Sequence, residues 1–367
     1  MDPDKNTILL ETFFLDFLEP PNVRILTDQK TASLLSVGGW THGTGGFGKA
    51  AQSATSRRNF ARSALNFIQK HGFDGIDIDW EYPGFQDGPV PGHSADVANS
   101  ILLYEELSRV FKPKGLLLTG AFGAPPTRVD ESYPEVERIC NALDMVHLMT
   151  YDFHGGWENV IGHHSPFTSD GKHPSDPRNI WNARSSVDYW IEKGCPAEKL
   201  TLGLGAYGRV FKATTSEVAR LHPGTTKGVK GTYTREDGYF AFHEICNWDS
   251  HIDSATKSAV AVNGNLWAGY ETVQSANVKL DYLIQKGMKG IMWWALDLDD
   301  FDGTFCGKGK HPLISGVWGN LKLKLNGQQP VTPVGTIDGA TTDGGTEQPI
   351  IETTDKMTIV SVTPRQV

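Results

Sequence analysis

Short apolar runs alternate with longer amphipathic segments along most of this chain. Short runs rich in Val, Ile and Leu are typical of strands buried on both faces, and apolar residues at helical spacing between them are typical of amphipathic helices. Strands that alternate with helices predict a parallel sheet. Six strands are predicted, near residues 32–37, 76–81, 116–120, 144–150, 200–206 and 290–295.

The helical segments have recognisable ends. The first is followed by Gly72, Ser94 is in a position to cap the second, and Pro134 suits the first turn of the third. Helices are predicted near residues 56–71, 94–111, 134–142, 180–193 and 271–286.

Three segments interrupt the alternation. Residues 151–179 form a polar loop rich in Gly, His and Pro. Residues 209–266 are rich in Gly, Thr and aromatic residues, which predicts a small inserted α+β unit before the last strand. From about residue 327 the composition turns to Thr, Pro, Gly and Asp, so residues 327–367 are predicted to be a linker or disordered tail.

The strand near residues 76–81 carries unusual chemistry. Its acidic residues alternate with apolar ones, so that the carboxylates share one face. An exposed acidic face is the alternative interpretation, but the strand is rich in residues typical of buried strands. Charges that face a buried interior are costly unless they are paired, and they often mark a functional site. The residues in question are Ile76, Asp77, Ile78, Asp79, Trp80 and Glu81.

Composition narrows the possible functions. The chain has 367 residues, a net charge of -9 and a pI near 5.7, which argues against binding to nucleic acid or to an anionic membrane. The N-terminus lacks the pattern of a signal peptide, and no stretch is long and apolar enough to predict a membrane span. The four cysteines match no zinc pattern and allow three disulfide pairings.

Five motifs, which occur in the same order as in the family, resemble glycoside hydrolase family 18, the chitinase family with a (β/α)8 barrel. Within this family the chain is similar to animal chitinases of the chitotriosidase type. The resemblance covers about residues 33–318, including the insertion, and so implies a TIM-type barrel as the catalytic domain. The motifs are SVGGW at 36–40, DGIDIDWE at 74–81, MTYDFHG at 149–155, AYGR at 206–209 and WALDLDDF at 294–301.

One region departs from the family. Members carry two strands before the SxGG strand, and residues 1–32 do not resemble them, although one strand could be drawn from residues 8–15. A six- or seven-stranded sheet leaves a gap in the barrel. We therefore expect residues 1–32 to be atypical, the barrel to be incomplete at the N-terminus, and the chain to be a truncated or alternatively spliced product.

The positions of the acidic residues along the strand suggest their roles. Active sites of parallel barrels lie at the C-terminal ends of the strands, so Glu81 at the rim is the expected general acid. Asp79 and Glu81 project the same way and cannot flank a sugar as the two carboxyls of an ordinary retaining glycosidase do, at about 5 Å. Asp77 lies deepest, and Asp74, which has the opposite parity, is expected to be structural.

The resemblance implies that the substrate's own 2-acetamido group is the nucleophile. Asp79 then orients the acetamido nitrogen, Asp77 takes up the shared proton or charge, and Tyr151 donates a hydrogen bond to the acetamido carbonyl. Glu81 afterwards activates the water that opens the oxazolinium ion, with retention of configuration. Further expected sugar contacts are Trp40, Tyr82, Met149, Asp152, Trp157, Tyr207, Arg209, Met292 and Trp294, although aromatic residues at strand ends and in loops also serve packing.

Other candidate residues receive structural interpretations. The resemblance implies a disulfide between Cys246 and Cys306, whereas Cys140 and Cys195 are expected to be free buried thiols. Asp299 and Asp300 are expected to fix the turn after the last strand. The loop histidines His154, His163 and His164 lack the spacing of metal ligands, so no metal or cofactor is predicted.

The sequence therefore predicts a monomeric endochitinase that acts on chitin and chitooligosaccharides. A chitin-binding lectin on the same fold is the first alternative, but such relatives usually replace the glutamate that is present here as Glu81. An inactive fragment of the fold is the second, and a cooperative thermal transition would argue against it. The family and the expected disulfide imply secretion despite the missing signal peptide.

Overall fold

A computed structural model of the chain describes residues 32–158, 160–171, 176–212, 222–223 and 229–329. The predictions for residues 1–31 and 330–367, including the strand at 8–15 and most of the tail, lie outside the described residues. The strands are β1 Leu34–Gly38, β2 Gly75–Asp79, β3 Leu117–Gly123, β4 Met145–Met149, β5 Val160–Ile161, β6 Leu200–Gly205, β7 Tyr207–Lys212, β8 His222–Pro223, β9 Tyr239–Ala241, β10 Asp249–Ile252, β11 Ala259–Asn263, β12 Leu266–Tyr270 and β13 Gly290–Trp294.

The α-helices of the described residues mostly follow the strands of the main sheet. They are α1 Gly45–Ala51, α2 Ala54–His71, α3 Ala95–Phe111, α4 Pro126–Ser132, α5 Val136–Ala142, α6 Ala183–Glu192, α7 Phe242–Ile245, α8 Val273–Lys286 and α9 Pro312–Leu325. None of the helices in the described ranges is both long and apolar enough to cross a membrane.

The main sheet has six parallel strands in the order β1-β2-β3-β4-β6-β13. The predicted alternation of strands and helices is thereby confirmed, and in the described residues the sheet forms part of a TIM-type barrel with β1 and β13 at its edges. Ile76 and Ile78 on β2 are fully buried, as are Leu103, Leu107 and Phe111 on α3. Apolar side chains on the helix-facing side of the sheet thus form the main core.

Helix α2 illustrates how local sequence sets an element. Ser53 and Ser56 form a capping box, in which each side chain accepts a hydrogen bond from the other residue's backbone N–H. Phe60, Ala64 and Ile68 are fully buried at helical spacing, and Gly72 ends the helix at a φ of 75°. The predicted helix is correct to within two residues at its start.

The predicted cap of α3 is wrong in detail. Ser94 has a helical backbone conformation and makes no capping hydrogen bond. Instead the Asp96 carboxylate accepts from the backbone N–H of His93 at 2.7 Å. The sequence predictions also omit α1, α4 and α9.

The insertion before the last strand is an antiparallel sheet in the order β10-β11-β12-β7-β9. It runs from Tyr207 to Tyr270, slightly beyond the predicted 209–266. Because β7 directly follows β6, the aromatic end of this sheet lies beside the C-terminal ends of the barrel strands.

Two disulfides lie in the described residues. Cys246 bonds to Cys306, as the family resemblance implies. Cys140 bonds to Cys195, so the prediction of free thiols at these two positions is wrong. Helices α5 and α6 follow neighbouring strands, which brings Cys140 on α5 and Cys195 just after α6 to a Cα–Cα distance of 5.5 Å. Their separation of 55 residues in sequence gave no sign of this contact.

Candidate active site

Strand β2 lies between β1 and β3, and its two aspartates face the interior of the barrel. Asp77 and Asp79 are 3% and 6% exposed, whereas the alternating Ile76 and Ile78 are fully buried against the helices. Glu81 follows the strand end and is partly exposed. The three carboxylates thus form a line from the interior to the rim.

Asp77 is held by hydroxyl groups from both neighbouring strands. Ser36 and Thr119 stand opposite Asp77 in the strand register. The Ser36 hydroxyl donates to one carboxylate oxygen at 3.0 Å and the Thr119 hydroxyl donates to the other at 2.6 Å. Both oxygens of this buried carboxylate therefore have a donor.

A histidine that the sequence analysis did not single out completes this layer. His147 on β4 shares a 2.8 Å hydrogen bond between its Nδ1 and the Thr201 hydroxyl, and its Nε2 lies 3.8 Å from Asp77 Oδ1. Burial lowers the pKa of His147, and the negative charge of Asp77 only partly offsets this. A neutral imidazole therefore faces Asp77. The sequence pattern that could have identified it is the alternation along β4, because His147 lies two residues from both Met145 and Met149 and so shares their inward face.

Asp79 lies one layer nearer the rim. Its Oδ1 is buried and has no hydrogen-bond partner among the described residues. Burial raises the pKa of Asp79 well above its ordinary value, and the charges of Glu81 and Asp77 raise it further. These causes favour the protonated form of Asp79 more than in a free carboxyl, and its unpartnered oxygen is available to a ligand.

The two glycines of the SxGG motif allow the backbone of β1 to approach this layer closely. Gly38 has a φ of 120°, and a Cβ added there would lie 1.9 Å from the carbonyl oxygen of Asp79. Gly39 donates its backbone N–H to the same oxygen at 2.8 Å. These contacts fix the end of β2, from which Glu81 projects.

Glu81 has the electrostatics of a proton donor. Burial is the main cause that raises its pKa to about 7, and the charge of Asp152 adds to the rise, whereas hydrogen bonds from the Tyr82 side chain and the Trp40 backbone oppose it. A carboxyl with a pKa near the operating pH can both donate and accept a proton. The Tyr82 ring is in turn covered by the Arg128 guanidinium, 4.9 Å from the ring centroid.

Tyr151 lies after β4 and points toward β13. Its side chain is 8% exposed, and its hydroxyl lies 3.6 Å from the sulfur of Met292. Gly203 on β6 leaves room for both, since an added Cβ there would lie 3.0 Å from the Tyr151 ring and 3.1 Å from the Met292 methyl. Burial, followed by the charges of Asp79 and Glu81, raises the pKa of Tyr151, so the hydroxyl remains a donor.

Asp152 and Arg209 form a bidentate ion pair at the entrance. The Arg209 Nε and a terminal nitrogen donate to the two Asp152 oxygens at 2.7 and 2.9 Å. Burial alone would raise the pKa of Asp152, but the charge and hydrogen bonds of Arg209, with a smaller contribution from His164, hold it well below its usual range. Asp152 therefore remains ionised and contributes a fixed negative charge.

Aromatic rings surround the Arg209 guanidinium, which lies 5.1 Å from the Trp157 ring centroid and 4.8 Å from that of Tyr239. The Tyr207 and Tyr239 ring centroids are 4.5 Å apart. Tyr239 was missed by the sequence analysis because it lies in the inserted sheet without a motif around it.

Trp40, which follows β1, and Trp157, which lies beside the Arg209 guanidinium, offer exposed aromatic surface. They are 48% and 58% exposed, which is unusual for tryptophan and suits stacking on a ligand. Trp40 lies 6.4 Å from Tyr82, ring to ring. Met149, at the end of β4, is buried with Tyr151.

The remaining predicted residues lie outside the cleft. Asp74 accepts a hydrogen bond from the Ser33 backbone N–H at 2.8 Å, at the start of β2. Asp299 and Asp300 accept backbone hydrogen bonds in the segment that follows β13, Asp299 from Ile314 and Asp300 from Cys306. His154 shares a hydrogen bond with Glu158 at 2.8 Å, and the described residues contain no group of three or more side chains placed to hold a metal ion.

Comparisons with known proteins found a matching family model and several similar proteins. A family model described as glycosyl hydrolases family 18 matches residues 15–299. Mouse chitotriosidase-1 is 38% identical over 314 residues, which are 83% of this chain and 66% of the length of that relative.

Two solved structures are also similar. Human YKL-39, described as a pseudo-chitinase with retained chitooligosaccharide binding, has 31% identity and a TM-score of 0.79, over 87% of this chain and 88% of its own. The Group IV chitinase of Ostrinia furnacalis has 33% identity and a TM-score of 0.78, over 87% of this chain and 88% of its own.

Proposed function

The chain belongs to glycosyl hydrolase family 18, and we propose that it is an endochitinase that hydrolyses β-1,4 linkages between N-acetylglucosamine units with retention of configuration. The observation that carries this proposal is the line formed by Asp77, Asp79 and Glu81, which ends in a carboxyl whose pKa is raised to about 7. Residues 33–318 would form the catalytic domain, with an insertion near 209–266 and residues 327–367 as a linker or tail.

The proposed mechanism begins with proton donation. Glu81, as a carboxylic acid, protonates the glycosidic oxygen while the 2-acetamido oxygen of the same sugar attacks its anomeric carbon. The glycosidic bond breaks and a cyclic oxazolinium ion forms. The Tyr151 hydroxyl donates a hydrogen bond to the acetamido oxygen. The proton carried by Asp79 passes to Asp77, and the Asp79 carboxylate then accepts a hydrogen bond from the acetamido N–H and provides the opposing negative charge.

The second half of the reaction, hydrolysis of the oxazolinium ion, returns Glu81 to its protonated form. Glu81, now a carboxylate, removes a proton from water as the water attacks the anomeric carbon and opens the ring, which regenerates the acetamido group. The attacks come from opposite faces in turn, so the β configuration is retained. Asp152, ionised and held by Arg209, would help to hold the distorted sugar, and Trp294 would lie beneath it.

The other proposed sugar contacts would extend this cleft. Trp40 and Tyr82 are neighbours, and Trp157 and Tyr207 lie beside the Arg209 guanidinium. Met149 and Met292 would provide apolar contacts at the floor beside Tyr151. This arrangement of rings suits a linear polymer of pyranose units.

Chitohexaose cleavage tests the proposed function. We expect internal cleavage into shorter oligomers, with the newly formed reducing end released as the β anomer and detected by proton NMR before mutarotation. Release of the α anomer would contradict substrate assistance, and absence of any cleavage would contradict the proposed enzyme.

A chitooligosaccharide-binding function without hydrolysis is the second candidate. The similarity to human YKL-39, a pseudo-chitinase that retains binding, favours it, since most of the cleft would serve either function. The carboxylates at Asp79 and Glu81 favour the enzyme. Calorimetric titration with N,N′,N″,N‴-tetraacetylchitotetraose together with the cleavage assay separates the two.

The pH dependence of activity follows from Glu81. The acid must be protonated in the free enzyme, and burial raises its pKa to about 7, so kcat/KM is expected to be full below that pH and to fall as the pH rises through about 7. Replacing Asp152 with asparagine removes a charge that raises the pKa of Glu81 and leaves Arg209 with only the more distant carboxylate of Glu236, at 3.7 Å. The alkaline limb of the pH–rate profile should therefore move to lower pH. A pH–rate profile of both proteins measures this, and a limb that stays in place in the variant would contradict the assignment.

We further infer an extracellular, monomeric protein that uses no cofactor. The two disulfides of the described residues support this location, because such bonds persist in oxidising compartments.

A further inference from the structure

A fully buried ion pair that the mechanism does not use joins Lys279 on helix α8 to Glu271, two residues before the helix. Lys279 and Glu271 are 0% and 1% exposed. The Lys279 ammonium donates to Glu271 Oε1, and to the backbone and hydroxyl oxygens of Ser165 at 2.8 and 2.7 Å. All three of its donors are therefore used, and Ser275 donates to the other Glu271 oxygen at 2.7 Å.

A buried pair of this kind requires an explanation other than stability. Removing two charges from water costs about as much as their attraction returns, so an apolar pair of similar volume often serves equally well. Here the pair joins α8 to a residue that lies 114 positions earlier in the chain. What distinguishes the pair from an apolar substitute is therefore that Lys279 binds Ser165 and fixes its position.

Ser165 is hydrogen-bonded in turn to the backbone of the candidate active site. The Ser165 hydroxyl donates to the carbonyl oxygen of Thr150 at 2.7 Å, and the Thr150 hydroxyl donates to the carbonyl of Gly203 at 2.6 Å. Thr150 is the residue before Tyr151. The Lys279 ammonium is thus two hydrogen bonds from the backbone that carries the Tyr151 hydroxyl.

A second branch leads to Asp152. His164 precedes Ser165, its carbonyl accepts the backbone N–H of Phe153 at 2.9 Å, and its Nδ1 lies 3.7 Å from Asp152 Oδ1. The segments on both sides of Asp152 are therefore tied to the segment that Lys279 holds.

We propose that the buried Glu271–Lys279 pair is a positioning device for catalysis, which holds Tyr151 and Asp152 in place through Ser165. The effect on turnover rests on the proposed function. Misplacement of a reacting group by about 1 Å lowers rates by about 10²-fold, so a small shift of the Thr150–Asp152 turn is sufficient to be measured.

The test uses two ways of breaking the link in the full chain. Lys279→Met combined with Glu271→Leu replaces the pair by apolar residues, and Ser165→Ala keeps the pair but cuts its connection to Thr150, which provides a second variant if the first does not fold. Lys286→Met removes a partly exposed ion pair between the same helix and Asp188 and is the control.

We expect each linking variant to lower kcat on chitohexaose by about 10- to 100-fold with KM changed less than about threefold, and the control to match the wild type. Each variant is also made in a background that carries Tyr151→Phe and Asp152→Ala together. If the pair acts through these two residues, the further loss in that background is small, because both groups being positioned are already gone. An equal loss in both backgrounds would overturn the proposal.

Hydrogen exchange provides a readout that needs no turnover. The amides of Tyr151 and Phe153 should exchange at least tenfold faster in the linking variants, while β13 amides exchange as in the wild type. If the wild type does not cleave chitohexaose, the proposed function fails and this exchange measurement alone decides the inference. Unchanged exchange at Tyr151 and Phe153 would overturn it.

Discussion

Glu81→Gln is expected to lower kcat on chitohexaose by about 10⁴-fold while affinity for chitotetraose stays within about threefold of the wild type. Glutamine keeps the size of the side chain and can still hydrogen bond Tyr82, but it can neither donate a proton to the leaving oxygen nor remove one from water. Both halves of the proposed reaction depend on this one carboxyl, so both lose their proton transfer. Steady-state kinetics and calorimetric titration measure the two quantities.

The variant Glu137→Gln is the matched control, since Glu137 is exposed on α5, outside the proposed machinery. It should be indistinguishable from the wild type. If Glu81→Gln retained more than a tenth of the wild-type rate, Glu81 would not be the general acid. If Glu81→Gln lost its affinity for chitotetraose and also its folded structure, as judged by circular dichroism, the Glu81 carboxyl would have a structural role instead of a catalytic one.

Much of the fold and of this site could be predicted from local patterns. The alternation of carboxylates with isoleucines predicted a strand buried on both faces, and the strand and helix alternation predicted the sheet around it. The residues that were missed share a different property, which is that their roles depend on register between strands. Thr119 supports Asp77 only because the two stand opposite each other in β3 and β2.

Contacts between residues far apart in the sequence explain the other differences between the sequence predictions and the structure. Tyr239 lies in the inserted sheet and reaches the Arg209 guanidinium only because β9 pairs with β7, which places the two residues opposite each other. Cys140 and Cys195 come together because their helices are neighbours around the sheet. Such pairings combine residues from distant parts of the chain, and no local pattern in a single sequence specifies them.

Asp79→Asn is expected to change activity and stability in opposite directions. We expect kcat on chitohexaose to fall about 10²- to 10³-fold, because asparagine accepts the acetamido N–H but cannot carry the negative charge that opposes the oxazolinium ion. The free energy of unfolding near pH 7 should rise. The pKa of Asp79 is raised in the folded protein, mainly by burial and then by Glu81 and Asp77.

The sign of the stability change follows from proton linkage. A group whose pKa is raised by folding contributes stability at low pH, below its unfolded pKa, and that stability is lost as the pH rises through the folded pKa. Asparagine does not titrate, so the variant avoids this loss. Urea unfolding of both proteins should therefore show the smallest difference near pH 4 and an advantage for the variant near pH 7.

The combination separates a catalytic from a structural role for Asp79. A structural carboxylate would be expected to lose stability and activity together, because its removal would leave its donors unpaired. Asp77 provides that comparison within the same strand, since Ser36 and Thr119 donate to its two oxygens, and Asp77→Asn should destabilise the protein. A stable but slow Asp79→Asn variant beside a destabilised Asp77→Asn variant is the expected pattern. A destabilised Asp79→Asn variant would show that the buried carboxyl supports the barrel, and its proposed role at the acetamido group would then have to be abandoned.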